Sequence, residues 1–281
     1  MPSTNPIRAT RAILLCFVFP VAAPWLPSGL RAAPGAAADA GAYRSPFEVA
    51  FSPDGKTLAV SDRSGDALSL LDPANATLRR TVPLDGEGTG LAWSEDGARI
   101  FVGEYGAASI AEVEASSGKI LRRFKTGLHP IGLAIVPGRS LLLATNQDSN
   151  RLALIDLDSG RQRALLETTR EPYFVAASHD GTFAVVGNLL PAGDAREARH
   201  AAAVDLFDLE AMGHRTQFRL PPGSSSVRQI AISPDDHWAY VVHMIGRTNM
   251  PTTQLERGWV NTNALSIIDI RSGKRHATVL L

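Results

Sequence analysis

Polar and ionisable residues recur at one fixed interval in this sequence. Asp62, Glu104, Asn146 and Asn188 stand 42 residues apart, and His243 follows 55 after the last of them. A second series keeps step: Ser45, Glu87, His129 and Glu171 at intervals of 42, then Ser226 after 55, with Arg228 two positions on. These residue types offer carboxylates, amides, an imidazole and a guanidinium, the groups that orient polar ligands or move protons. For them to act together, a repeated element must bring the positions to one place.

Other chemistries find less support. The seven histidines form neither H-x-H nor H-E-x-x-H, and His179 and His237 fall in turn sequences, "SHDG" and "DDHW". There is no G-x-S-x-G nucleophile elbow and no glycine-rich phosphate loop leading into a helix. The one cysteine, Cys16, lies in the N-terminal apolar run, so residues beyond it have no thiol for disulfides, thiolate metal sites or C-x-x-C-H haem attachment. Formal net charge is zero. A nucleic-acid partner would call for a basic stripe, and none is present.

The first 40 residues read as an export signal. Arg8 and Arg11 precede the apolar run Ala12–Leu26, no acidic residue appears before Asp39, and "ADA" at 38–40 offers a small-residue cleavage site. A run of 15 residues interrupted by Pro20 and Pro24 is short of the roughly 20 that span a bilayer. The mature chain is therefore expected in the periplasm or outside the cell, without a membrane span, carrying 25 basic against 27 acidic residues.

The interval of 42 belongs to a repeat. "SPDG" at Ser52, "SEDG" at Ser94, "VPGR" at Val136, "SHDG" at Ser178 and "SPDD" at Ser233 mark five copies. A second marker, ending at Asp72, Glu114, Asp156, Asp208 and Asp269, follows each. Each copy spells four short strands joined by Asp-Gly-type and Ser-Gly-type turns, where glycine or aspartate accepts positive φ. Small and apolar residues on both strand faces imply sheets packed on either side. Four antiparallel strands about every 42 residues predict an all-β propeller with repeats near 45–87, 88–128, 129–170, 171–225 and 226–281.

The stretch "LLLATNQDSNRLALIDLDSGR" (Leu141–Arg161) resembles the YVTN-type β-propeller repeat of exported and cell-surface proteins. The resemblance runs from Ser45 to the C-terminus and implies a seven-bladed ring. Five copies then read as an incomplete ring, with a closed five-bladed ring as the alternative.

In a propeller, the loop entering the first strand and the loop between second and third strands share one face around the central channel. The two series above meet on that mouth face, making His129, Glu171, Arg228, Asn146, Asn188 and His243 candidate binding residues. Asp62, Asn146 and Asn188 equally suit a structural task, hydrogen-bonding the loop that follows them. Asp72, Glu114, Asp156, Asp208 and Asp269 precede turns away from the mouth and are expected to shape them. The extra length of the last two copies falls at Leu190–His200 and Gly246–Asn263, both on the mouth side of neighbouring blades. The second insertion adds Arg247, Arg257 and Trp259 to the candidates. It also resembles a loop of exported propellers that continue into a cytochrome c domain of the di-haem peroxidase type. That resemblance implies haem only in a C-terminal domain beyond this sequence.

Three functions follow. The leading one is an exported, non-catalytic binding platform for a protein, peptide or glycan. The second is the propeller part of a truncated periplasmic haem-dependent redox protein, partnered by a cytochrome c-type domain. The third is a lactonase-like hydrolase with His129, Glu171, Arg228 and His243 as acid–base groups. No cofactor is expected in this chain itself.

Overall fold

In the computed structural model, residues 44–191, 193–194, 196–197, 200–246 and 261–281 are described, all within the compact unit Ala42–Leu281. The export signal read in residues 1–40 lies outside them, as do Arg247, Arg257 and Trp259. No helix among the described residues is long and apolar enough to cross a membrane.

Five four-stranded antiparallel sheets follow one another along the chain, each with its strands in sequence order. The first blade holds β1 (Pro46–Phe51), β2 (Leu58–Asp62), β3 (Ala67–Asp72) and β4 (Thr77–Pro83). The second holds β5 (Gly88–Trp93), β6 (Arg99–Glu104), β7 (Ser109–Glu114) and β8 (Ile120–Lys125). The third holds β9 (Pro130–Ile135), β10 (Leu141–Asn146), β11 (Arg151–Asp156) and β12 (Gln162–Glu167). In the fourth are β13 (Pro172–Ala177), β14 (Phe183–Asn188), β15 (Ala203–Asp208) and β16 (Gly213–Arg219). The fifth has β17 (Ser224–Ile232), β18 (Trp238–Gly246), β19 (Asn261–Asp269) and β20 (Lys274–Leu280). The architecture is that of β-propeller blades.

Local chemistry makes the hairpins. Ser52 Oγ donates to Asp54 Oδ1 at 2.6 Å and accepts from Thr57 N at 3.0 Å, while Gly55 turns the chain at φ 70°. Ser178, Asp180 and Gly181 repeat the arrangement. The third blade lacks serine and aspartate here, and Gly138 N donates instead to Glu95 Oε1 of the preceding blade at 2.8 Å. At the opposite hairpin end, Asp72, Asp156, Asp208 and Asp269 accept the backbone N–H groups of their turns, as in Ser159 N to Asp156 Oδ1 at 2.7 Å. The Ser159 amide and hydroxyl hold the Asp156 carboxyl down at about 2. Glu114 takes the Ser117 hydroxyl in the same place.

The apolar core is divided into four layers, one between each pair of consecutive blades. Leu68, Leu70 and Val82 of the first blade meet Leu91, Ile100 and Val102 of the second. The same stacking continues between the second and third, third and fourth, and fourth and fifth blades. Both faces of the middle sheets are thus covered, and for this reason β6, β10 and β14 are almost continuously apolar. Near the channel the blades approach so closely that a Cβ on Gly90 would lie 2.1 Å from Ile131 O, and one on Gly132 2.5 Å from Tyr173 O.

The ring is not closed. The outer faces of the first and fifth blades carry exposed Val49, Phe51 and Leu78 on one side and Tyr240, Val242 and Val279 on the other. Five blades are seen among the described residues.

The fifth blade corrects one boundary. β2, β6, β10 and β14 end at Asp62, Glu104, Asn146 and Asn188, and the repeat register alone would end β18 at His243. It continues to Gly246, because Met244, Ile245 and Gly246 pair with Asn263, Thr262 and Asn261 of β19. Part of the fifth-blade insertion is therefore an extension of the hairpin ladder, and His243 sits inside it.

Candidate functional site

The loops that enter β9, β13 and the inner part of β17 are held in a strained backbone. His129, Glu171 and Ser226, equivalent in the repeat, have φ of 58°, 48° and 55°. Non-glycine residues in this region are uncommon, and six others among the described residues share it at hairpin turns. Each places its carbonyl or amide on the loop that follows the second strand: Gln147 N donates to His129 O at 3.0 Å, and Leu189 N to Glu171 O at 2.9 Å. The loops before the first strand and after the second are thereby tied together blade by blade.

On this scaffold a continuous path of rings and guanidiniums crosses the mouth. Arg228 of the fifth blade lies over the Tyr173 ring of the fourth, 5.3 Å from its centroid, with Nη1 3.4 Å from the hydroxyl. Tyr173 meets Phe47 of the first blade at a centroid distance of 6.0 Å. Arg63 packs 5.8 Å from the Phe47 centroid and 4.3 Å from that of Tyr105, in the second blade. Tyr105 stacks on His129 of the third blade at 4.0 Å and 6°. All five blades contribute. Two blades that are not neighbours in the chain, the first and the fourth, touch through Phe47 and Tyr173.

Acidic groups flank this path. His129 Nδ1 lies 2.7 Å from Asp148 Oδ2 without a hydrogen bond between them. Gln147 Nε2 donates to Glu171 Oε2 at 3.3 Å. Beside Phe47, the half-buried Glu48 accepts the Leu91 amide at 2.9 Å, and burial pushes its carboxyl up to about 7 against that hydrogen bond. Burial also raises the Tyr173 hydroxyl, while the positive charges of Arg228 and Arg63 oppose the shift.

The candidates read from the second-strand ends sit behind this surface. Asn146 is fully buried, accepting Thr126 Oγ1 at 2.9 Å and donating to Ala144 O. Asn188 is equally buried, donating to Ala203 O at 2.9 Å and to Asp205 Oδ2 at 3.0 Å. Asp62 accepts the amides of Ser45 and Gly65, and Glu104 pairs with Arg123 and Ser109. His243 is buried as well. Its Nδ1 faces the Met244 carbonyl at 3.3 Å and its Nε2 the Ser266 hydroxyl at 2.9 Å. A carbonyl only accepts, so the proton resides on Nδ1 and the serine donates to Nε2. Burial holds this imidazole below its usual pKa.

Of the expected set, the structure brings His129 and Arg228 onto the ring path, with Glu171 beside it. It adds Phe47, Arg63, Tyr105 and Tyr173, which sequence reasoning passed over. The signal was in the same register. Phe47, Tyr173 and Arg228 occupy one repeat position, two after the entering residue, and Arg63, Tyr105 and Gln147 each follow a second-strand end.

A larger cleft, of about 660 Å³, opens on the opposite face between the first and second blades, beside Asp54, Arg79, Trp93 and Glu95. Its charges are already engaged: Arg79 binds Asp72, and Glu95 holds Gly138 N of the third blade. Similar clefts of about 330 and 380 Å³ recur between other blade pairs, so this hollow is a product of blade splay. Among the described residues no group of three or more ligating side chains suits a metal ion.

No family model matches the sequence, and no curated protein matches it either. Among solved structures, Kuenenia stuttgartiensis hydrazine synthase is similar, with a TM-score of 0.76 and 23% identity over 88% of this chain and 70% of that one. The likeness is one of fold. It places the five sheets among β-propellers and assigns no activity to the mouth.

Proposed function

We propose that the protein is an exported, non-catalytic propeller of the YVTN type that binds a partner molecule through its mouth face. The observation that carries this reading is the ring path from Arg228 to His129, to which every blade contributes. Aromatic and arginine side chains are the types that most often dominate binding energy, because they bring large area with little entropy to lose. Export is supported by the basic and apolar pattern of the first 40 residues. Against a hydrolase stands His243, whose ring nitrogens are both occupied inside the fifth blade, so the proposed acid–base set lacks a member at the mouth.

The test is a glycan and peptide array probed with wild type, Tyr105→Ala and Tyr173→Ala. Ligands recognised by the wild type should be lost by both variants, while the melting temperature of Tyr105→Ala shifts by only a few degrees. Ligands retained by both variants would place binding elsewhere and overturn the reading.

A further inference from the structure

The exposed apolar residues of the two end blades have counterparts in the repeat that a neighbouring blade covers. Val49, Phe51 and Leu78 stand 42 residues before Leu91, Trp93 and Ile120. Those three share a layer with Leu68, Leu70 and Val82 of the blade before theirs, and Trp93 Nε1 donates across the boundary to Ala50 O at 3.2 Å. On the first blade all three positions are exposed. The fifth blade shows the reverse. Tyr240 follows Val185 by 55 residues, and Val279 and Leu281 follow Phe218 and Leu220 by 61. Val185, Phe218 and Leu220 share a layer with Val227, Ile230 and Ile268 of the blade after theirs. Tyr240, Val279 and Leu281 are exposed.

The two free faces are therefore unlike each other and complementary. The fifth blade presents the surface that receives a following blade, and the first presents the surface that is received. End repeats of a stacked array ordinarily carry polar outer faces. These carry aromatic and aliphatic side chains, which mark an interaction surface. In the four internal layers both kinds of surface are covered by a blade of the same repeat. We propose that a second copy of this chain docks head to tail, its first blade against the fifth blade of its neighbour, and that this contact repeats the internal layers. Such a contact is heterologous, with a different face on each side. It forms as concentration rises, and the dilute chain keeps both faces open. None of the six exposed side chains belongs to the ring path, so the contact is separate from what the mouth binds.

The test is analytical ultracentrifugation of the wild type, Phe51→Glu, Tyr240→Glu and an equal mixture of the two variants. The wild type should associate as its concentration rises to about 100 μM. Each variant alone should associate about a hundredfold more weakly, because a carboxylate buried without a partner opposes the contact. In the mixture, the Phe51→Glu copy keeps an intact fifth blade and the Tyr240→Glu copy an intact first blade. The two should form a pair and grow no further, which also shows both variants folded. Leu78→Lys and Val279→Lys, on the same two faces, should give the same pattern and guard against misfolding of the first pair. Self-association of either variant at wild-type strength, as a contact between like faces would allow, overturns the proposal. A wild type that stays monomeric across the range overturns it too, as does a mixture that stays monomeric for both pairs of variants.

Discussion

Glu48 keeps its proton to about pH 7 when folded, whereas an unperturbed glutamate loses it near 4.5. Between those values the folded chain holds more protons than the unfolded one, so stability from this group is fully present below about 4.5 and is lost as pH rises through about 7. Glu48→Gln keeps an oxygen for the Leu91 amide and removes the titration. Its melting temperature should gain on the wild type between pH 5 and pH 8, by a free energy of at most about 3 kcal/mol. A difference independent of pH would mean that the carboxyl is solvated and titrates normally. The turn aspartates behave in the opposite sense. Asp156, held near 2 by Ser159, stabilises the fold above its ordinary pKa and loses that effect in acid, so Asp156→Asn should flatten the acid limb of the melting curve. Residues of this kind were legible in the sequence, since an aspartate two or three positions before an amide forms its hydrogen bond locally. Tyr173 and Phe47 were not, because what brings them together is the curvature of the whole ring.

Between elements, the innermost strands set the tightest tolerance. A methyl group at Gly90 would meet the Ile131 carbonyl at 2.1 Å, and backbone on a packed strand cannot swing aside. Gly90→Ala should therefore destabilise by about 1–3 kcal/mol, seen as a drop of roughly 2–12 °C in melting temperature. A neutral outcome would mean that the second and third blades can slide apart. Strand boundaries in the first four blades could be read from turn chemistry and polar end residues alone. The extension of β18 and β19 could not, because Met244–Gly246 and Asn261–Asn263 pair through main-chain groups that every residue possesses. That difference moved His243 from the end of a strand to its interior, and with it the one imidazole expected from the fifth blade. Asn146 and Asn188 illustrate the same limit: the register gave their position, but only packing decided that their amides would turn inward.

At the scale of the molecule, the four core layers need five blades, and the two outer blades each leave a face uncovered. Val49 is 59% exposed where its counterparts Leu91, Leu133 and Val175 are at 5%, 7% and 2%. Tyr240 is 36% exposed where Phe101, Leu143 and Val185 are fully buried. Phe51→Glu and Tyr240→Glu should each reduce the binding of a hydrophobic dye to the native protein. Unchanged dye fluorescence would show these faces covered in solution. An array in which each unit touches only its neighbours has additive energetics, and its ends open before its middle. The Phe47–Tyr173 contact departs from that rule, since it bridges the first blade to the fourth across the channel. It works as a clasp on a bent spring: opening the first blade alone must break a contact with a unit three places away. Phe47→Ala should then let amides of β1 and β2 exchange with solvent faster than those of β10, turning one cooperative transition into fraying from a single end. A residue on the ring path would then also decide whether the molecule comes apart piecemeal or all at once.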